Sequence, residues 1–116
     1  MPIFVMRREE RLTRNSDFAR VHGEGKSWAN RLLVMRAIPS GREQNRVGFS
    51  VSKRVGNAVV RNRVKRMLRE AVRSKTLETG WDVVFIARSG TAISSFQEIG
   101  YAVDDLAERS KIGKSG

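Results

Sequence analysis

The segment "RVGFSVSKRVGNAVVRNRVKRMLRE", residues 46–70, changes its hydrophobic period once. That switch constrains the fold more than anything else in the chain. Val47, Phe49 and Val51 alternate with Arg46, Gly48, Ser50, Ser52 and Arg54, the period-two pattern of a half-buried strand. Gly56-Asn57 then stop the strand, and Asn57 is a good N-cap for a helix running to about Ser74. At 3.6 residues per turn, Val60, Val64, Met67, Leu68 and Ala71 fall on one stripe. Arg61, Lys65, Arg69 and Arg73 form a file at i, i+4 spacing, with Asn62 and Arg66 beside it and Arg63 across, nearer the apolar edge. A strand feeding a long amphipathic helix predicts a βα unit of an α/β domain. The outward strand face is small in the middle and cationic at its ends, a shallow floor between charges.

The flanks complete one domain of 116 residues, a size that buries roughly 65% of its unfolded surface. "RNSDFARVHGEG" predicts a short helix capped by Asn15 or Ser16 and stopped by Gly23 and Gly25, with Phe18, Val21 and His22 on one face. Residues 28–38 predict one apolar strand before the turn Pro39-Ser40-Gly41. Residues 81–88, "WDVVFIAR", are almost continuously apolar and predict a strand buried on both faces. Residues 94–109 predict a closing helix whose apolar stripe is Phe96, Ile99, Val103, Leu106 and Ala107. Repeats and linkers are lacking, and the ends, about 1–8 and 111–116, are expected to be loose.

Charge points to the partner. The chain carries 23 Lys/Arg against 12 Asp/Glu, a net +11. Ten of those cations lie in residues 46–75, where Glu70 is the only acid, whereas residues 93–110 carry Glu98, Asp104, Asp105 and Glu108 against Arg109. Such a patch attracts polyanions, nucleic acid first and an anionic membrane surface second. Arginine forks suit bidentate phosphate contact, and cations one helical turn apart match a nucleic-acid backbone. A helix beside a sheet with a small polar floor suits RNA recognised by shape, together with a single strand in a cleft, better than a DNA major groove. Phe18 could stack on a base there, or simply belong to the core.

Catalytic chemistry is missing. Without Cys there are no disulfides or thiol ligands. His22 is the one histidine, with no metal-ligand companion. Asp104 and Asp105 diverge on a helix rather than pair for acid–base work, and no phosphate-binding glycine loop is present. We therefore expect no catalytic residues and no metal site in the chain itself. No apolar run approaches the length of a membrane helix, and the first residues do not form a signal peptide, so a cytoplasmic, non-membrane protein is expected.

Taken as a whole, "RVGFSVSKRVGNAVVRNRVKRMLRE" closely resembles the hallmark segment of the bacterial ribonuclease P protein subunit family. That family carries Arg-Asn-Arg, here Arg61-Asn62-Arg63, in a basic helix after a Gly-Asn turn. The likeness extends over "RLTRNSDFARV", "ANR" and "DVVFIAR", about residues 7 to 110. It implies a small two-layer α/β sandwich, about three helices on a four-stranded sheet, with a left-handed βαβ crossover around the basic helix. It also implies an accessory subunit of an endoribonuclease, not catalytic alone. Such a subunit binds the catalytic ribonuclease P RNA as a monomer in the holoenzyme, along with the 5′ leader of precursor tRNA. It raises substrate affinity and lowers the requirement for Mg²⁺, which the RNA mainly binds.

By the same resemblance, Arg61, Asn62, Arg63, Lys65, Arg66 and Arg69 contact the catalytic RNA. Phe18, His22, Arg36, Ser50, Ser52, Lys53 and Arg54 line the leader cleft. Two positions depart from the family: His22 stands where relatives often have a Phe-type aromatic, and Arg36 where some have Tyr. The alternative is a structural RNA-binding protein of ribosomal type.

Overall fold

In the computed structural model the described residues are 11–112, except 74 and 76. They form α1 (Asn15–Glu24), β1 (Lys26–Ala29), β2 (Leu33–Pro39), β3 (Arg46–Ser50), α2 (Ala58–Arg73), β4 (Trp81–Ala87), a 3₁₀ turn (Ser89–Ile93) and α3 (Phe96–Ser110). Three helices thus pack on one four-stranded mixed sheet of order β1-β2-β4-β3. The central β4 runs antiparallel to β2 and parallel to β3, with α2 as the crossover. Of the segments expected to be loose, 1–8 and 113–116 lie outside the described residues, whereas Ile112 is buried.

The alternation of each strand divides the core. Leu33, Met35, Ala37, Val47, Val83, Phe85 and Ala87 face α2 and α3, where they meet Val64, Leu68, Ile99, Val103 and Leu106. Phe49 and Phe85 stack there with centroids 6.3 Å apart. On the other sheet face Val84 packs with Leu12 and Val21 beneath α1, joined by Phe18, Ile38 and Ile86. This is why β4 reads as continuously apolar: it is covered on both sides.

Residues 28–38 are not one strand. Asn30 breaks them into the β1–β2 hairpin. Its Oδ1 accepts from the backbone N–H groups of Leu32 (3.1 Å) and Leu33 (2.9 Å), while its own N–H donates to the Leu33 carbonyl (2.9 Å). Its Nδ2 reaches the Ala102 carbonyl and Asp105 on α3, each at 3.0 Å. One side chain thus turns the chain and ties the hairpin to the last helix.

The first helix also departs from expectation. Neither Asn15 nor Ser16 caps it: Arg14 holds the N-cap position without a side-chain hydrogen bond. Gly23 lies within the helix, and Gly25 ends it. A Cβ on Gly25 would come within 2.5 Å of the Val21 carbonyl oxygen and 3.0 Å of that of Ala37, so only glycine lets the helix end sit on β2. By contrast, the other caps are conventional. Asn57 Oδ1 accepts from the Val60 N–H (3.0 Å), and Ser95 and Glu98 form a reciprocal capping box on α3. The expected stripe of α3 is buried except at its first residue, Phe96, which is half exposed.

Gly48 is the second glycine that close approach requires. A Cβ there would lie 2.6 Å from Phe18 Cζ and 3.0 Å from Leu12 Cβ. Gly48→Ala is expected to displace α1 and cost about 1–3 kcal/mol of unfolding free energy, read by urea denaturation. An unchanged midpoint would show that Phe18 is not seated on β3.

Candidate nucleic-acid interface

Two surfaces carry the residues singled out above. The first is the outer side of α2. The helix buries Val64, Leu68, Ala71 and Val72, with Val60 and Met67 at the margins. The cationic file is a diagonal rather than a straight ridge, because each i, i+4 step drifts by about 40° around the axis. Arg61 and Lys65 therefore sit half buried on one flank, and Arg69 is exposed. Asn62 and Arg66 are exposed with it and are one turn apart, ~6 Å along the axis.

Arg63 lies on the other flank and is partly committed. Its Nη2 donates to the Ala92 carbonyl of the 3₁₀ turn. At the far end Lys75 pairs with Asp104. Since 63 meets 92 and 75 meets 104, α2 and α3 run parallel, side by side. Three of the four acids of α3 are engaged locally: Asp104 with Lys75, Asp105 with Asn30 and Arg109, and Glu98 in its cap. On α2 itself Glu70 is held by Arg73 at 3.2 Å. The positive field of Arg66 and Arg69, beside Asn62, thus meets no free acid on α2.

The second surface is a cleft on the opposite side of the sheet. Strand register sets its floor in rows. Arg46 and Asp82 share one row, Gly48, Val84, Arg36 and Ser27 the next, and Ser50, Ile86, Val34 and Ala29 the third. Helix α1 crosses above the second row. Val21 points into the sheet and Phe18 stands over Gly48. At the other end the Arg36 guanidinium donates to the His22 carbonyl at 2.6 Å, a cation on the C-terminal end of a helix. Asp17 and Arg20 face the first row, so helical spacing turns Phe18 and the exposed His22 toward the third. That third row lies open. Ser50, Ile86 and Val34 are half buried, and exposed Ser52, Lys53 and Arg54 continue from β3 in the turn that follows.

An ion network fixes α1 at this height. Asp82 is fully buried and binds Arg46 through two contacts (3.0 and 2.8 Å) and Arg20 through one (2.6 Å); Arg46 also reaches Asp17 (3.2 Å). Burial would raise the Asp82 carboxyl, but the hydrogen bonds and charge of Arg46, and then of Arg20, outweigh it and hold it below its ordinary value. Arg46, the cation at one end of the floor, is a structural partner of Asp82.

Of the expected cleft residues, Phe18, His22 and Ser50 surround one opening, with Ser52, Lys53 and Arg54 at its mouth. The Arg36 guanidinium uses Nη2 on the helix end. Sequence reasoning missed Val34 and Ile86 as floor residues; the unbroken apolar runs around them hid which side chains alternate outward. Among the described residues no three His, Asp or Glu side chains gather as metal ligands.

A small basic α/β domain with a cationic helix on one side and a half-apolar cleft on the other has the make-up of an RNA-binding protein. The family model described as Ribonuclease P matches residues 6–111. A ribonuclease P protein component from Dehalococcoides mccartyi is 45% identical over 107 residues, covering 92% of this chain and 89% of the relative. One from Caldanaerobacter subterraneus is 41% identical over 104 residues, covering 88% and 90%. Among solved structures, the Staphylococcus aureus RNase P protein superposes with a TM-score of 0.82 at 31% identity, covering 90% of this chain and 98% of that one. The Thermotoga maritima RNase P protein gives 0.79 at 29% identity, covering 92% and 99%. The chain belongs to the bacterial ribonuclease P protein family, and is the protein component of that endoribonuclease, partner to its RNA.

Proposed function

We propose that the two surfaces divide the work: α2 holds the catalytic RNA, and the cleft under α1 holds the single-stranded 5′ leader of precursor tRNA. Asn62, Arg66 and Arg69 follow the RNA backbone, with Arg61 and Lys65 on the flank and Arg63 bracing the 3₁₀ turn. In the cleft, bases lie on the half-apolar row of Val34, Ile86 and Ser50 against Phe18 and His22, and Lys53 and Arg54 meet phosphates. The observation that carries this reading is the open third row beside the Phe18 edge of α1. Mg²⁺ takes its oxygens mainly from the RNA. The protein acts as a monomer in the holoenzyme, in the cytoplasm.

Leader length tests the cleft. Ser50→Glu places an acid on the floor without touching the core beneath α1. In the holoenzyme it is expected to weaken binding of a long-leader precursor tRNA on the order of 10-fold while leaving a one-nucleotide leader unaffected. Phe18→Ala is expected to act in the same direction. Equal losses for both leaders, or none, would remove the leader from this cleft.

A further inference from the structure

Among the described residues, three of the four exposed large apolar side chains lie at one end of the α2–α3 seam. Val59 is 77% exposed, Ile93 92% and Phe96 49%. The parallel pairing of the helices explains the placement. Arg63 on α2 is bonded to Ala92, next to Ile93. Val59 lies one turn before Arg63 on the same flank, and Phe96 opens α3 one turn beyond Ile93. These apolar groups thus surround a guanidinium already held in place. Exposure of Phe96 is the one departure of α3 from its expected stripe, and Gly100, one turn along, leaves open space beside it.

The electrostatic setting selects the occupant. Exposed Asn62 and Arg66 stand on the adjoining strip of α2, Arg66 only ~10 Å along the helix from Val59. On α2 the nearest acid, Glu70, is a turn further on and paired with Arg73, and on α3 Glu98, two residues past Phe96, is held in the capping box and faces Arg31 at 3.8 Å. An apolar ledge continuous with a cationic strip fits an unpaired nucleobase whose own phosphates the strip holds. We propose that Val59, Ile93 and Phe96 form a base-stacking platform for an unpaired nucleotide of the ribonuclease P RNA. A proposal of this kind rests on the reading of α2 as the RNA-binding helix.

Stacking and phosphate contact differ in salt dependence, because only the latter releases counterions. Binding of the full-length protein to ribonuclease P RNA is measured over a salt series. Ile93→Ser/Phe96→Ser is expected to lose on the order of 10- to 100-fold in affinity at every salt concentration, with the slope of log K against log salt unchanged. Arg66→Ala is expected to reduce that slope by about one, and Phe96→Trp to keep wild-type affinity. Because Ile93 is almost fully solvated, Ile93→Ser alone serves as the variant least able to disturb the fold, and should show part of the same loss. Unchanged affinity in the apolar variants, with Arg66→Ala still flattening the slope, overturns the platform and leaves α2 as the RNA helix. No effect from any of them overturns both. If the double substitution instead dissolves a dimer of the free protein and leaves RNA affinity intact, the ledge belongs to a second copy of the chain and the proposal fails.

Discussion

Asp82→Ala is expected to cost about 3 kcal/mol or more of unfolding free energy, the usual penalty for removing one member of a buried ion pair. The carboxylate has no exposed surface and binds two guanidiniums 36 and 62 residues away in sequence. Its loss leaves Arg46, whose side chain is only 13% exposed, with Asp17 as its one remaining acid partner beneath α1. Arg20 is more exposed and can rehydrate, which limits the penalty. A pH signature accompanies the effect. The folded-state carboxyl lies below its ordinary value of 3.8, so its stabilisation is fully present above that value and is lost as pH falls through the lower, folded-state one. Urea melts near neutral pH should therefore show the full difference between wild type and variant, shrinking below about pH 4. A difference that is constant down to low pH would mean that the carboxylate charge does not hold α1. Since α1 carries Phe18 and His22, a folded Asp82 variant should also bind long-leader substrate less well.

The second large effect concerns assembly. Arg61→Ala/Arg66→Ala is expected to weaken binding to ribonuclease P RNA on the order of 100-fold at low salt. Each charge-assisted hydrogen bond contributes about 1.5–3 kcal/mol in a dry contact and less where water and salt screen it. Arg66 is exposed, so its removal should leave the fold intact; Arg61 is half buried and its stem covers part of the helix flank. A thermal melt of the free protein separates the two contributions. Unchanged assembly in a folded double variant would move the RNA away from α2.

The parts of this molecule legible in its sequence are those set by local periodicity. The cap at Asn57, the buried stripe of α2, the doubly covered β4 and the buried positions of α3 follow from spacing and turn chemistry alone. What stayed hidden depends on partners far along the chain. An apolar run concealed the β1–β2 hairpin, because its breaker, Asn30, looks like any polar residue until its amide is seen bridging the turn and α3. Arg46 reads in the sequence as one more cation of the basic stretch, since nothing there announces that Asp82 waits beside it on the neighbouring strand. Phe96 fits the apolar stripe by number, yet at the first turn of α3 it remains half exposed. The candidate site divides in the same way. The cationic helix was evident from charge density, whereas the cleft floor required the register to show Val34 and Ile86 beside Ser50.

The central claim is that this chain supplies binding surfaces while the RNA supplies the chemistry. Single-turnover cleavage of a precursor tRNA at low Mg²⁺, by ribonuclease P RNA with and without the protein, tests it most directly. The account predicts strong rescue of cleavage by the protein, no cleavage by the protein alone, and rescue that shrinks as the leader is shortened. Tight RNA binding without rescue would contradict it and leave a structural RNA-binding protein, while cleavage by the protein alone would place an active site where none has been found.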